Sequence, residues 1–404
     1  MAKSVVILDG ARTPMAEYEG GKTGDGRPGG ALKSVTALDL GAVASRGAIE
    51  RAGIAPEAVD AVFFGNALQT SGDAIYGARH VGLKAGVPLE KPALTVNRLC
   101  GSGIQSVVSA VHSIGHDEAT VCLAGGMESM SQAPHVIRGA RSGFRLGQGK
   151  LEDLLMVALL DTYCGLYMAN TAENIAADRK LTREAQDQFS LESQQRGAAA
   201  RERGVHAEEI VPVETGKGRR ARTVDTDDHL KPDSTLEGLG ALPPAFGKDG
   251  TVTAGNASGI VDGAAALVLQ EEEAARSDGH SPLARIRSWG TVGVPPEYMG
   301  IGPVPAIRLA LSNAGMSLAD VDLFEINEAF AAQYLAVEHD LELDRAKVNV
   351  NGGAISLGHP LAATGTRLLL TLAYELRRRG GGVGVASACI GGGQGIAMVI
   401  ESGS

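Results

Sequence analysis

The sequence predicts an α/β protein built from two related halves, with a long segment inserted into the first. Short apolar strands alternate with helical stretches over most of the chain, residues 48–68 align without a gap on residues 310–330, and residues 130–258 change in character. A chain of 404 residues is longer than one hydrophobic core usually organises, which agrees with a duplication. Hydrophobic residues, mainly Ala, Val, Ile and Leu, make up 44% of it, and 21% charged residues leave an ordinary soluble surface.

The repeat comes first. Residues 48–68 read AIERAGIAPEAVDAVFFGNAL and residues 310–330 read ALSNAGMSLADVDLFEINEAF, so that Ala48, Ala52, Gly53, Val59, Asp60 and Ala67 each recur 262 positions later. Each copy reads as a helix end closed by glycine, a short connection and a buried strand. After the first copy, Thr95-Val96 leads into a turn at Cys100, a helix over 104–114 and a strand over 120–124. After the second, residues 348–350 lead into a turn at His359, a helix over 364–379 and a strand over 383–386. Two similar layers facing each other are expected.

Between the halves, Gly and Arg accumulate over 138–150, charged helical sequence fills 171–203, and the polar stretch 215–233 suggests surface loops. The basic strip Lys217 to Arg222 reads as a solvated loop. The return, Thr251 to Gly259, is too rich in small residues for a core strand and suits a place where backbone approaches a ligand.

A net charge of -10, with no basic stripe interleaved with aromatics, argues against a nucleic-acid partner. No apolar run reaches the roughly 20 residues of a membrane span, and the first residues lack signal-peptide or transit-peptide character, so a cytoplasmic enzyme is expected. Four cysteines, sparsely spaced, read as reduced thiols. No metal site is expected, since His112 and His116 at helical spacing bring no third ligand.

Three glycine-flanked segments carry the chemistry: Asn97 to Gly103, Gly352 to Pro360 and Cys389 to Gly395. In the first, Cys100 opens a helix, where amide dipoles favour thiolate; the alternative is a small buried hydrophobe. In the second, His359 lies in a turn between Gly358 and Pro360, where it can titrate near neutrality as a base or simply complete a hydrogen-bond network. In the third, Cys389 ends an apolar strand and opens a glycine run whose amides could form an anion nest. Asn327, where the repeated strand leaves the core, could fix a water or a histidine, or merely form a turn. Cys122 and Cys164 read as structural.

Together these segments resemble the thiolase family, over essentially the whole chain. The matching motifs also include Gly125-Gly126-Met127-Glu128-Ser129-Met130-Ser131, Thr171-Ala172-Glu173-Asn174, Gly255 to Gly259, Asn327 to Phe330 and Asn349 to His359. The resemblance implies the thiolase fold, with duplicated halves in five α-β-α-β-α layers. Residues 1–129 with 259–281 would form the N-terminal half, 130–258 a loop domain binding CoA, and 282–404 the C-terminal half. It implies a homodimer or homotetramer acting on acyl-CoA and CoA, with coenzyme A as substrate and no tightly bound cofactor.

By the same resemblance Cys100 is the acylated nucleophile, His359 the base that activates it and Cys389 the acid/base at the substrate α-carbon. Asn327 would hold a water in one oxyanion hole with His359, and amides of Cys100 and Gly391 would form the other. Ser258 and Met168 match pantetheine-contacting positions, Met299, Ala329 and Phe330 the acyl end, and Lys231 the place where an Arg often meets the nucleotide. Tyr167 stands where the biosynthetic acetoacetyl-CoA branch has a His, and Ala362 where a glycine is common. These departures, with Leu166 to Ala169 and Gln132 to Pro134, favour degradative 3-ketoacyl-CoA thiolysis. The alternatives are condensation of two acetyl-CoA and a catalytically silent acyl-CoA carrier.

Overall fold

Alternation along the strands decides the architecture. In β1 (Val5–Arg12) Val5 and Ile7 face one core while Val6 and Leu8 face another. The same division runs through β2 (Ala61–Gly65), β4 (Val121–Glu128) and β5 (Val261–Glu271), so each strand is buried on both faces. In the second half, β8 (Gly382–Ile390) and β9 (Gln394–Ser402) turn Ala386, Ala388, Ile396 and Met398 to the shared core and Val385, Ala397 and Val399 to a third.

With β3 (Ala93–Val96), β6 (Ala284–Gly293) and β7 (Leu323–Ile326), the main strands lie in the order β7-β8-β9-β6-β1-β5-β4-β2-β3. Among the described residues, the three pairs Val5–Ile286, Val6–Arg285 and Ile7–Ala284 stitch the halves into one hydrogen-bonded path. Helices α1 (Ala37–Arg51) and α2 (Gly77–Ala85) cover the outside of the first half. Helices α4 (Pro303–Ala314) and α5 (Ala331–Leu341) cover the second. Between the half-sheets lie α3 (Ser102–Gly115) and α6 (Leu361–Arg378), in contact with each other and with strands of both halves. These are the five layers expected.

This computed structural model describes residues 3–216, 218 and 221–403. Lys217, Arg219 and Arg220 of the basic strip lie outside the described residues, as do the first two residues of the chain. β4 and β5 are antiparallel neighbours, Glu128 opposite Gly263, so the intervening chain leaves and returns at one place. That excursion carries helices Met168–Asp178 and Arg183–Glu202 and three short hairpins. Arg12, wholly buried at the end of β1, pins it by donating to Glu209 at 2.9 Å and to both oxygens of Asp227 at 2.7 and 2.8 Å. A buried guanidinium so paired is costly to break, because either partner left alone is an uncompensated charge.

Candidate active site

The Cys100 turn is built by local hydrogen bonds and by the space available. Asn97 Oδ1 accepts from the Leu99 amide at 3.0 Å, and Leu99 takes a left-handed conformation with φ 46°, uncommon outside glycine. One tight turn, Leu99–Gly101, then feeds α3. Gly103 is required by packing, since a Cβ there would lie 2.4 Å from the Thr366 amide nitrogen in α6. The two central helices therefore meet backbone to backbone at their first turns, which places Cys100 beside the loop that carries His359.

Cys100 is half-buried against Leu68, Met130, Leu155 and Leu361. Burial pushes its thiol up to about 11, outweighing hydrogen bonds from the Gly391 amide and its own, and the charge of Glu128 pushes the same way. The helix-start dipoles expected to favour thiolate are thus overruled by desolvation. Cys100 rests as a thiol.

His359 is buried. Its amide donates to the Gly259 carbonyl at 2.9 Å, Nδ1 lies 2.5 Å from Thr364 Oγ1, and Nε2 lies 3.3 Å from Asn327 Nδ2. An amide N–H donated to Nε2 makes Nε2 the acceptor and puts the imidazole proton on Nδ1, toward Thr364. Burial, and then the charge of Arg367, lower its pKa to about 3. The expected titration near neutrality does not occur: the ring is neutral, with the lone pair of Nε2 turned to the Asn327 amide. Asn327 is anchored through its amide to Ser387 at 2.9 Å, and its Oδ1 is buried with no partner among the described residues.

Cys389 lies at the end of β8, buried with Met299 and Ala329, and Met168 and Phe330 pack on the same cluster. Burial raises its thiol, and the charge of Cys100 raises it further, so the two sulfurs feel each other. Gly391 bridges them: a Cβ there would sit 3.2 Å from both Leu99 Cδ1 and Met168 Sδ. Ser258 joins the group by donating its amide to the Ala329 carbonyl at 3.0 Å.

Lys231 stands apart. Its ammonium turns back to the His229 carbonyl at 3.2 Å, and it lines a separate cavity of about 330 Å³ with Leu239, Leu242 and Gly255. Burial lowers its pKa, against the pull of Glu17 and Asp228. Two further groups escaped the sequence reading. Thr364 fixes the histidine tautomer, and Glu128 holds four N–H donors between the loops. The latter had one visible signal, an acid ending the apolar, glycine-rich strand at Gly125-Gly126-Met127.

Two family descriptions match this chain: Thiolase, N-terminal domain, over residues 5–273, and Thiolase, C-terminal domain, over residues 280–402. The chain belongs to the thiolase family. It is 52% identical over 403 residues to the mitochondrial 3-ketoacyl-CoA thiolase of Homo sapiens, covering 100% of this chain and 99% of that one. It is 49% identical over 401 residues to an acetyl-CoA acetyltransferase of Escherichia coli, covering 99% of each. The crystal structure of human mitochondrial 3-ketoacyl-CoA thiolase in complex with CoA superposes with a TM-score of 0.94 at 51% identity, covering 100% of this chain and 99% of that one. The fold is the thiolase fold, and the chain is an acyltransferase. The expected cytoplasmic location is overturned: relatives from Homo sapiens, Pongo abelii and Bos taurus are named mitochondrial, and a thiolase of this kind is not tied to the cytoplasm.

Proposed function

We propose that this thiolase cleaves 3-ketoacyl-CoA with CoA, giving acetyl-CoA and a shortened acyl-CoA. The observation that carries the reading is the closeness of Cys100 and Cys389 across the Gly391 turn, with Leu361, two residues past His359, packed against Cys100 and a neutral His359 held by Asn327. Cys100 Sγ attacks the 3-keto carbon while its proton passes to His359 Nε2. The C2–C3 bond breaks, Cys389 protonates the departing acetyl-CoA carbanion, and an acyl thioester remains on Cys100. The Cys389 thiolate then takes the proton of incoming CoA, whose sulfur attacks the thioester, and His359 returns the proton to Cys100.

The water held by Asn327 and His359, and the amides of Cys100 and Gly391, would stabilise the oxyanions. Residues 130–258, with Ser258 and Met168, would hold pantetheine, Met299, Ala329 and Phe330 the acyl end, and Lys231 the nucleotide phosphates. The carrier reading fares worse, because Cys100, His359 and Cys389 are all present.

Two copies would pair through β3, an edge strand of the sheet with no partner on its outer side among the described residues, where Leu94 is exposed, as are Ile75, Tyr76 and Leu89. A monomer by light scattering refutes that pairing. A second reading, condensation of two acetyl-CoA, is favoured by the acetyltransferase among the relatives. Thiolysis rates on 3-ketoacyl-CoA of short and long chain decide the reaction. Activity on the long chain supports the degradative assignment, and activity confined to acetoacetyl-CoA overturns it.

A further inference from the structure

We propose that Glu128 is a positioning residue that sets the separation of Cys100 from His359 by holding one loop from each half on a single carboxylate. It rests on the proposed reaction and goes beyond it, since Glu128 has no part in the chemical steps.

Glu128 is wholly buried at the end of β4. Its Oε1 accepts from Asn66 Nδ2 and the Leu68 amide, both at 2.9 Å, and its Oε2 accepts from the amides of Ala67 and Ala362, both at 3.1 Å. Four N–H donors and no acceptor suit only the ionised form, because a carboxylic acid would set an O–H against an N–H. Burial, with the nearby Asp262, pushes its pKa up to about 7, and the donors offset only part of that rise.

From the carboxylate, one path runs to each reacting group. Toward the nucleophile, Ala67 is bonded to Glu128 through its amide, its carbonyl accepts from Asn97 Nδ2 at 3.3 Å, and Asn97 Oδ1 holds the Leu99 amide at 3.0 Å, next to Cys100. Toward the base, Ala362 lies three residues after His359 in a tight turn, in which the Leu361 amide donates to the His359 carbonyl at 2.9 Å and the Ala363 amide to Pro360 at 2.7 Å. A Cβ at Gly126 would lie 2.0 Å from the Ala362 carbonyl, so the strand bearing Glu128 already touches this turn. Neither path contains substrate. Glu128 therefore acts through geometry, and a misplacement of about 1 Å is enough to cost on the order of 100-fold in rate.

The test compares the parent with E128Q, N97A and the double variant. A glutamine amide offers one acceptor and one donor, so it must set its NH2 against two of the four N–H groups. Asn97 is exposed and its loss leaves the core intact. Expected are a fall in kcat of roughly 10- to 100-fold in each single variant, with KM for CoA within about threefold and the melting temperature of N97A unchanged. The double variant should be little slower than the slower single, because both break one path. Loss in only one single variant, losses that multiply in the double, or a raised KM at constant kcat overturn the proposal. If E128Q does not fold, N97A decides, and kcat within twofold of the parent overturns it. A parent that cleaves no 3-ketoacyl-CoA refutes the proposed reaction instead, a result distinct from all of these.

Discussion

In the first half Asp60 joins the parallel strands β2 and β4, accepting the Val121 amide on its side chain at 3.1 Å and donating its own amide to the Val121 carbonyl at 2.8 Å. In the second, 262 positions on, Asp322 does the same with Val383 at 2.8 and 2.9 Å. The glycines that end the preceding helices, Gly53 and Gly315, share a φ of 68°. The central helices cross symmetrically: a Cβ at Gly103 would meet the Thr366 nitrogen at 2.4 Å, and one at Gly365 the Ile104 nitrogen at 2.5 Å.

At the loop tips the halves diverge. Where one carries Cys100, Asn97, Gly65 and Met127, the other carries Ala362, His359, Asn327 and Cys389. In the proposed reaction the first half supplies the nucleophile and the second the base, its amide partner and the other thiol. Positions fixed by backbone geometry persist in both copies, and the proposed reacting groups occupy places where side chains are free to differ.

The sharpest way to break this division is Cys100→Ser, for which thiolysis should fall on the order of 10⁴-fold or more with no acyl thioester detected by mass spectrometry. Next is Cys389→Ala, which should slow turnover on the order of 10²- to 10⁴-fold while Cys100 still accepts an acyl group from acyl-CoA. Equal loss of the acylation step would mean that the two thiols do not divide the work. The shared scaffold is tested by Gly103→Ala and Gly365→Ala, each expected to cost about 1–3 kcal/mol in denaturant unfolding. Unequal losses would show that the crossing is not symmetric.

The smallest effect distinguishes His359 from its counterpart Asn97. The folded histidine has its pKa lowered from 6.5 to about 3. Between those values the unfolded chain binds a proton that the folded chain does not, so stability falls as pH drops through that window. His359→Asn should flatten this acid slope by up to one proton, and an unchanged slope would show that His359 is not held neutral by the fold.

Much of this arrangement is legible in the sequence. The repeat fixes both glycine caps and both buried strands, and the central helices are read to within a few residues, 104–114 against Ser102–Gly115 and 364–379 against Leu361–Arg378. The strands leading to Glu128 and Cys389 were read too short, because Gly125-Gly126 and Ser387-Ala388 have little strand preference of their own and are held extended by neighbours on both sides. What the sequence hides is burial. The charge state of Cys100 and His359 depends on how much protein surrounds them, and Glu128 draws its donors from residues 66, 67, 68 and 362, a set that only folding assembles.

The placement of β1 also bears on how the chain acquires its shape. β1 is central in the sheet, and its two neighbours are Val261–Glu271 and Ala284–Gly293. A nascent polypeptide must therefore keep residues 5–12 waiting until residues 261–293 have been made, and the sheet cannot close before then. Such distant pairing makes folding slow and leaves an apolar ribbon open to chaperones or to aggregation in the meantime.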